Sequence, residues 1–126
     1  MQERLTANHI AEQVFDHMVP KILVEQPDIA RRVNAVLGIE LTGENGGYWT
    51  LDLTDTPVIE RGKTKEPKCT LTAQVDDFRD LLTNGSVRAA LDAFKKKRIQ
   101  ASGHLPTILK LEVLLKSLSK QNNVVA

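Results

Sequence analysis

The run "IELTGENGGYWTLDL", Ile39 to Leu53, constrains the fold more than any other part of the chain. Leu37, Ile39 and Leu41 fall on one side of an alternating segment, with Gly38, Glu40 and Thr42 on the other. After the Gly-Glu-Asn-Gly-Gly turn, Trp49, Leu51 and Leu53 repeat the pattern against Tyr48, Thr50 and Asp52. Successive strand side chains point to opposite faces, so the run reads as a hairpin with one apolar and one polar face. Two strands alone cannot hide such a face, so further strands and a covering layer have to follow.

They do follow. "PVIER" reads as a third, weaker strand, and "CTLTAQV" places Cys69, Leu71, Ala73 and Val75 inward against Thr70, Thr72 and Gln74. "RIQAS" alternates Ile99 and Ala101 against Arg98, Gln100 and Ser102, a fifth strand starting inside a charged block. Between and around the strands the apolar period is helical. The stripe from Leu5 to Leu23 runs through Ile10, Val14, Phe15, Met18 and Ile22, and Pro20 predicts one helix ending near Val19 and another restarting at Pro20. "DIARRV" adds a turn with Asp28 as N-cap. "DDFRDLLTNG" predicts a short helix through Phe78, Leu81 and Leu82 that stops at Asn84-Gly85. "SVRAALDAFKKK" predicts another, capped by Ser86, with Val87, Ala90, Leu91 and Phe94 facing inward. "LPTILKLEVLLKSL" predicts one closing helix with a broad apolar side, Leu105, Ile108, Leu109, Leu111, Leu114, Leu115 and Leu118. One antiparallel-rich sheet with helices on its apolar face satisfies every stripe, which is an α+β fold. At 126 residues and 41% apolar content the chain suits a single domain, 1–126, with helices over 5–33, sheet and helices over 34–118 and a tail over 119–126.

Charge and chemistry exclude several functions. Seventeen basic against sixteen acidic residues leave a formal charge of +1, so no global field draws the chain to a polyanion. The one concentrated block is "FKKKRIQASGH", where lysines in a last helical turn complement the helix dipole. Nucleic acid is not an expected partner, because single-strand binders add stacking aromatics and only 4% of residues here are aromatic. His9 and His17, with Glu12 and Asp16 near them, converge too poorly for a metal. Ser102 and His104 lack a third group, and Cys69 reads as a small core residue; Trp49 is expected in the core. "GENGG" joins strands and opens no helix, so it cradles no phosphate. One cysteine forms no internal disulfide, the first residues lack a secretory pattern, and no apolar run nears the roughly 20 residues of a membrane span. A reducing cytoplasm is the expected compartment.

Taken in order, "LTGENGGYWTLDLTD", "CTLTAQVDDFRDLLTNG" and "FKKKRIQASGHLPTILKLEVLL" resemble the sterol carrier protein type-2 domain family, over roughly Asn34 to Leu118. Lys97 stands where that family commonly has glycine, and His104 where it has Asn or Asp; the resemblance is to bacterial-type stand-alone members. It implies a five-stranded mixed sheet covered on one face by helices, around an apolar tunnel for fatty acid, acyl-CoA, phospholipid or sterol. It also implies binding and transfer of lipid without catalysis, metal or cofactor.

The expected tunnel wall is the inward face: Ile39, Leu51, Leu71, Phe78, Leu82, Phe94, Ile99, Ala101, Ile108, Leu109 and Leu115. Lys95, Lys96, Lys97 and Arg98 are the candidates for a lipid head group or a transient contact with an anionic membrane, with Lys110, Lys116 and Lys120 beside the last helix. The alternative is an interaction module whose tunnel is closed and whose exposed face docks a partner enzyme or a second copy.

Overall fold

Five strands form one sheet in the order β3-β2-β1-β4-β5. The structure is a computed structural model and describes residues 10–84, 87–111, 113, 114 and 116–118. Leu5, His9, Gly85, Ser86, Leu115, Lys120 and the 119–126 tail lie outside the described residues. β1 (Val36–Thr42) and β2 (Gly47–Asp52) make the expected hairpin, closed where the Gly46 N–H donates to the Gly43 carbonyl at 3.1 Å. β3 (Val58–Arg61) pairs antiparallel with β2. β4 (Cys69–Gln74) then crosses to the other side of β1 and pairs with it in parallel, and β5 (Ile99–Gly103) completes the sheet antiparallel to β4. The architecture is α+β with a mixed, mostly antiparallel sheet, as the alternation predicts.

Register keeps the two faces distinct across all five strands. Ile39 lies opposite Trp49 on one side and Leu71 on the other, and Ala73 lies opposite Ile99, so the inner face is one apolar surface. The outer face carries Glu40, Thr72 and Gln100. Gly38 lies on that outer face too, where a Cβ would collide with the Tyr48 hydroxyl and the Thr70 side chain. Outer-face Thr50 and Asp52 are nevertheless buried, because the loop after β3 folds over them. The Thr50 hydroxyl donates to the Gly62 carbonyl at 2.6 Å and accepts the Thr64 N–H at 3.1 Å. The Asp52 carboxylate takes the Lys65 ammonium, the Thr54 hydroxyl and, at 3.1 Å, the Thr54 N–H.

Helices cover the inner face, and several differ from expectation. The N-terminal stripe does not break into two helices at Pro20: α1 (Ile10–Glu12) passes through a π-helical stretch (Gln13–Met18) into α2 (Val19–Glu25). The Val19 N–H bonds to the Val14 carbonyl, and this wider turn relieves the clash between a proline ring and the carbonyl four residues back. α3 (Asp28–Val33) starts with Pro27 in the cap position, so Asp28 is no N-cap; its carboxylate pairs with Arg31 at 2.6 Å. Val75 is not a strand residue but opens α4 (Val75–Asn84). In α5 (Val87–Lys95) Leu91 and Phe94 face inward as expected, Ala93 is buried as well, and Leu91 is 54% exposed.

The closing helix is two pieces. α6 (Leu105–Leu109) ends at a turn over Lys110 and Leu111, and helical backbone resumes at Val113. No glycine or proline marks that break. The single broad-sided helix expected over this stretch is therefore interrupted. Gly103, at φ +92° with its Cα against the Lys68–Cys69 backbone, makes the turn from β5 into α6.

The end of α5 explains part of the cationic run. The Lys97 N–H donates to the Phe94 carbonyl at 3.1 Å and the Arg98 N–H reaches back to Ala93 at 2.9 Å. This closure requires a left-handed residue, and Lys97 has φ +61°. Arg98 therefore belongs to the helix closure, and β5 starts one residue later than expected.

Two measurements test these packing arguments. Replacing Lys97 by Gly removes a Cβ from a left-handed position and should raise the unfolding free energy by about 0.5 to 1 kcal/mol in urea titrations. Asp52 is held at about 2, below its ordinary 3.8, by its hydrogen bonds from Lys65 and Thr54 against a smaller opposing effect of burial. Its folded-state value lies below the unfolded one, so its contribution of about 2 kcal/mol is complete at neutral pH and drains away from pH about 4 to about 2. Asp52→Asn should unfold at lower urea at pH 7, and the gap should narrow below pH about 4.

Candidate functional site

Between the inner face and its helices lies a cavity of about 160 Å³ whose lining side chains are all apolar. Its floor is strand alternation made solid: Ile39 and Leu41 from β1, Leu51 from β2, Leu71 and Ala73 from β4, and Ile99 from β5. Its roof comes from Phe15 in the π-helical stretch, Phe78 and Leu81 of α4, Leu91 and Phe94 of α5, Ile108 and Leu109 of α6, and Leu111, Leu114 and Leu118 beyond it. Leu91 and Leu109 line the cavity yet are 54% and 72% exposed, so they mark its mouth.

The closed end is held by a polar lock outside the lining. Phe15 stacks between Trp49, with ring centroids 5.1 Å apart, and Phe78, at 5.5 Å. Trp49 is buried, and its indole N–H donates to Asp16 Oδ1 at 3.2 Å. Arg61 donates to the other Asp16 oxygen and to Glu12 Oε2 at 2.8 Å, with its guanidinium 5.6 Å from the Trp49 ring centre. Burial pushes the Asp16 carboxyl up, but hydrogen bonds from Arg61 and Trp49 and the charge of Arg61 outweigh it and hold the group below its ordinary value. Glu12 and Asp16 are thus engaged in tying the first helices to the sheet.

Of the expected wall, Ile39, Leu51, Leu71, Phe78, Phe94, Ile99, Ile108 and Leu109 line the cavity, and Leu115 lies outside the described residues. Leu82 and Ala101 do not line it. Leu82 is fully buried in the core beside it, and the Ala101 methyl, on the edge strand opposite Leu71, is too short to reach it. Leu41 and Ala73 carried a usable signal, since they continue the alternation of Ile39 and Leu71. Phe15, Leu81, Leu91, Leu111, Leu114 and Leu118 had only a general helical stripe to recommend them.

The cations of the 95–98 run diverge. Arg98 donates to Asp77 at 2.9 Å and Asp80 at 3.1 Å, and Lys96 pairs with Asp92 at 3.2 Å. Lys97 and Arg98 border a polar groove with Thr42, Thr72, Gln74, Asp77 and Gln100, whose lining shares only Ala73 with the cavity. Lys95 follows Leu91 by one helical turn on the same side of α5 and has no ion pair among the described residues.

Other chemistry is sparse. Burial pushes the Cys69 thiol up, against a smaller opposing effect of Lys68, so it stays protonated. His104 Nδ1 lies 2.8 Å from the Thr107 hydroxyl, at the start of α6. Among the described residues no three His, Cys, Asp or Glu side chains form a metal-binding group, and no helix is long and apolar enough to cross a membrane.

The fold is that of solved sterol carrier proteins. The structure superposes on sterol carrier protein 2 from Yarrowia lipolytica in its apo form with a TM-score of 0.70 at 18% identity, covering 90% of this chain and 95% of that one. It superposes on sterol carrier protein domain 2 of Helicoverpa armigera with a TM-score of 0.67 at 19% identity, covering 86% and 89%. For palmitated SCP2L2 of Aedes aegypti the TM-score is 0.64 at 21% identity, with 83% and 94% covered. No curated protein matches the sequence. The model of the SCP-2 sterol transfer family matches residues 15–116, which takes in Asp16, Arg61, the whole sheet and every cavity-lining residue but Leu118. The chain therefore belongs to the SCP-2 sterol transfer family.

Proposed function

We propose that this chain binds and transfers lipid without chemical change, taking an acyl chain into the cavity through the mouth between Leu91 and Leu109. The observation that carries this reading is a wholly apolar lining that reaches solvent at Leu91 and Leu109. The Aedes aegypti neighbour described as palmitated supports a fatty acid as the first ligand to test, with acyl-CoA, phospholipid and sterol behind it.

Size sets how the ligand enters. Each buried methylene contributes about 0.8 kcal/mol, so about a dozen supply some 10 kcal/mol gross before ordering costs. A cavity of about 160 Å³ is close to one known to hold a single benzene ring, so it accepts the end of a chain and its wall has to yield for the rest. The wall best suited to yield is α6, five residues long, with Leu105 and Leu109 already exposed and a break at Lys110. A head group left at the mouth meets Lys95 first; Lys96, Lys97 and Arg98 already have structural partners or a structural role. The one cysteine, buried and protonated, suits a reducing compartment such as the cytoplasm.

The protein should bind a fluorescent long-chain fatty acid saturably, and native mass spectra of gently purified material should carry lipid. Ala73→Phe projects a ring into the cavity and should weaken that binding by about tenfold or more, some 1.4 kcal/mol. Unchanged affinity in a folded Ala73→Phe variant would remove the cavity from the reading.

A further inference from the structure

The cavity has a direction across the sheet. α5 packs on β5, and α6 on β4 and β5, so the mouth at Leu91 and Leu109 stands over that edge. Phe15 lines the other end, stacked on Trp49 of β2. Three strand spacings of about 4.8 Å separate β5 from β2, roughly 14 Å in all, which about eleven extended methylenes cover. The two ends are held differently. Phe15 is buried, and its ring is stacked between Trp49 and Phe78 at interplanar angles of 29° and 21°. Its neighbour Asp16 accepts hydrogen bonds from Trp49 and Arg61, and Arg61 also reaches Glu12, so the backbone behind the ring is pinned to β2 and β3. At the mouth, by contrast, α6 has five residues and ends in a break. The lining is apolar throughout, and a carboxylate carried inward would lose its hydration without gaining a partner. An acid therefore enters methyl end first and keeps its head in water.

We propose that Phe15 is the chain-length stop of this cavity and that its preferred ligands are straight acyl chains of about twelve carbons. A shorter chain leaves apolar lining uncovered. A longer one meets the Phe15 ring, and its surplus methylenes stay in water at the mouth, where they add no affinity. The roof at α6 can yield to the width of a chain, whereas its length is fixed by a ring that moves only if the aromatic stack and the Asp16 hydrogen bonds break. The inference rests on the reading of the cavity as an acyl site and adds which chains that site selects, with Phe15 as the specificity-determining residue.

Displacement of a fluorescent fatty acid by a series of straight-chain saturated acids tests it. In the unmodified protein each added carbon should tighten binding by about fourfold up to about twelve carbons and by less than about 1.5-fold beyond. Phe15→Ala removes the ring, so the break should move to about sixteen carbons while the gain per carbon below it stays the same. Phe15→Leu, which costs the core less, should move the break by about one or two carbons and serves where Phe15→Ala does not fold. Leu91→Ala, at the mouth, should weaken every length by a similar factor and leave the break in place. Affinity that keeps rising about fourfold per carbon past about sixteen carbons in the unmodified protein overturns the stop. So does a break that stays put in a folded Phe15 variant, or one that Leu91→Ala shifts as far. Failure of the unmodified protein to bind an acid of any length would instead remove the acyl-site reading beneath it.

Discussion

Burying Trp49 in the centre of the inner face obliges the chain to bring an acceptor to its indole N–H, because an unmet buried donor costs about 1 to 3 kcal/mol. Asp16 is that acceptor, and Arg61 neutralises it from the neighbouring edge strand. This fixes where the first helices lie on the sheet. Phe15 is the residue just before Asp16, so the same contact seats its ring between Trp49 and Phe78 and closes one end of the cavity. The widened π-helical turn through Gln13–Met18 is where these side chains originate, and it also accommodates Pro20. Sheet, lock and cavity wall are consequently one construction.

What was legible in the chain follows from the range of the interactions involved. Strand alternation is local and strict, so Ile39, Leu51, Leu71 and Ile99 were placed on the inner face before any tertiary contact was known, and the hairpin turn announced itself in "GENGG". Helical stripes are looser: the stripe of α5 marked Leu91 and Phe94 as inward but did not single out Ala93 as buried or Leu91 as more than half exposed. The break at Lys110 and the continuity through Pro20 were not legible at all. The first contains no residue that forbids helix, and the second depends on a backbone turn that one sequence does not encode in an obvious pattern. The lock was hidden for a different reason, since Glu12, Asp16 and Arg61 meet across 45 residues or more of chain.

The cationic run shows how one charged block divides among several roles. Lys97 holds a left-handed helix closure in spite of its Cβ, Arg98 ties that closure to α4 through Asp77 and Asp80, and Lys96 stays on its own helix with Asp92. These exposed ion pairs contribute little individually, and a network of two carboxylates on one guanidinium orients the α5–β5 corner more than it stabilises it. Only Lys95 is left on the side of α5 that faces the mouth. Proximity in sequence therefore says little about shared function here, because the helix end and the left-handed residue turn successive side chains toward opposite faces of the sheet.

The cavity itself sets a limit on stability. A cavity of about 160 Å³ leaves the side chains that line it with fewer packing partners than a filled core provides. The chain tolerates it because the polar side of the fold is fully satisfied. No buried side-chain nitrogen or oxygen among the described residues lacks a partner, and Asp52, Thr50 and Trp49 each anchor a separate segment. The missing contacts are concentrated between the inner face and the short, broken elements at the mouth, where an acyl chain would restore them. The half of the molecule from the lock to the loop over Asp52 is held by hydrogen bonds and ion pairs, whereas the mouth is built from short, interrupted helices.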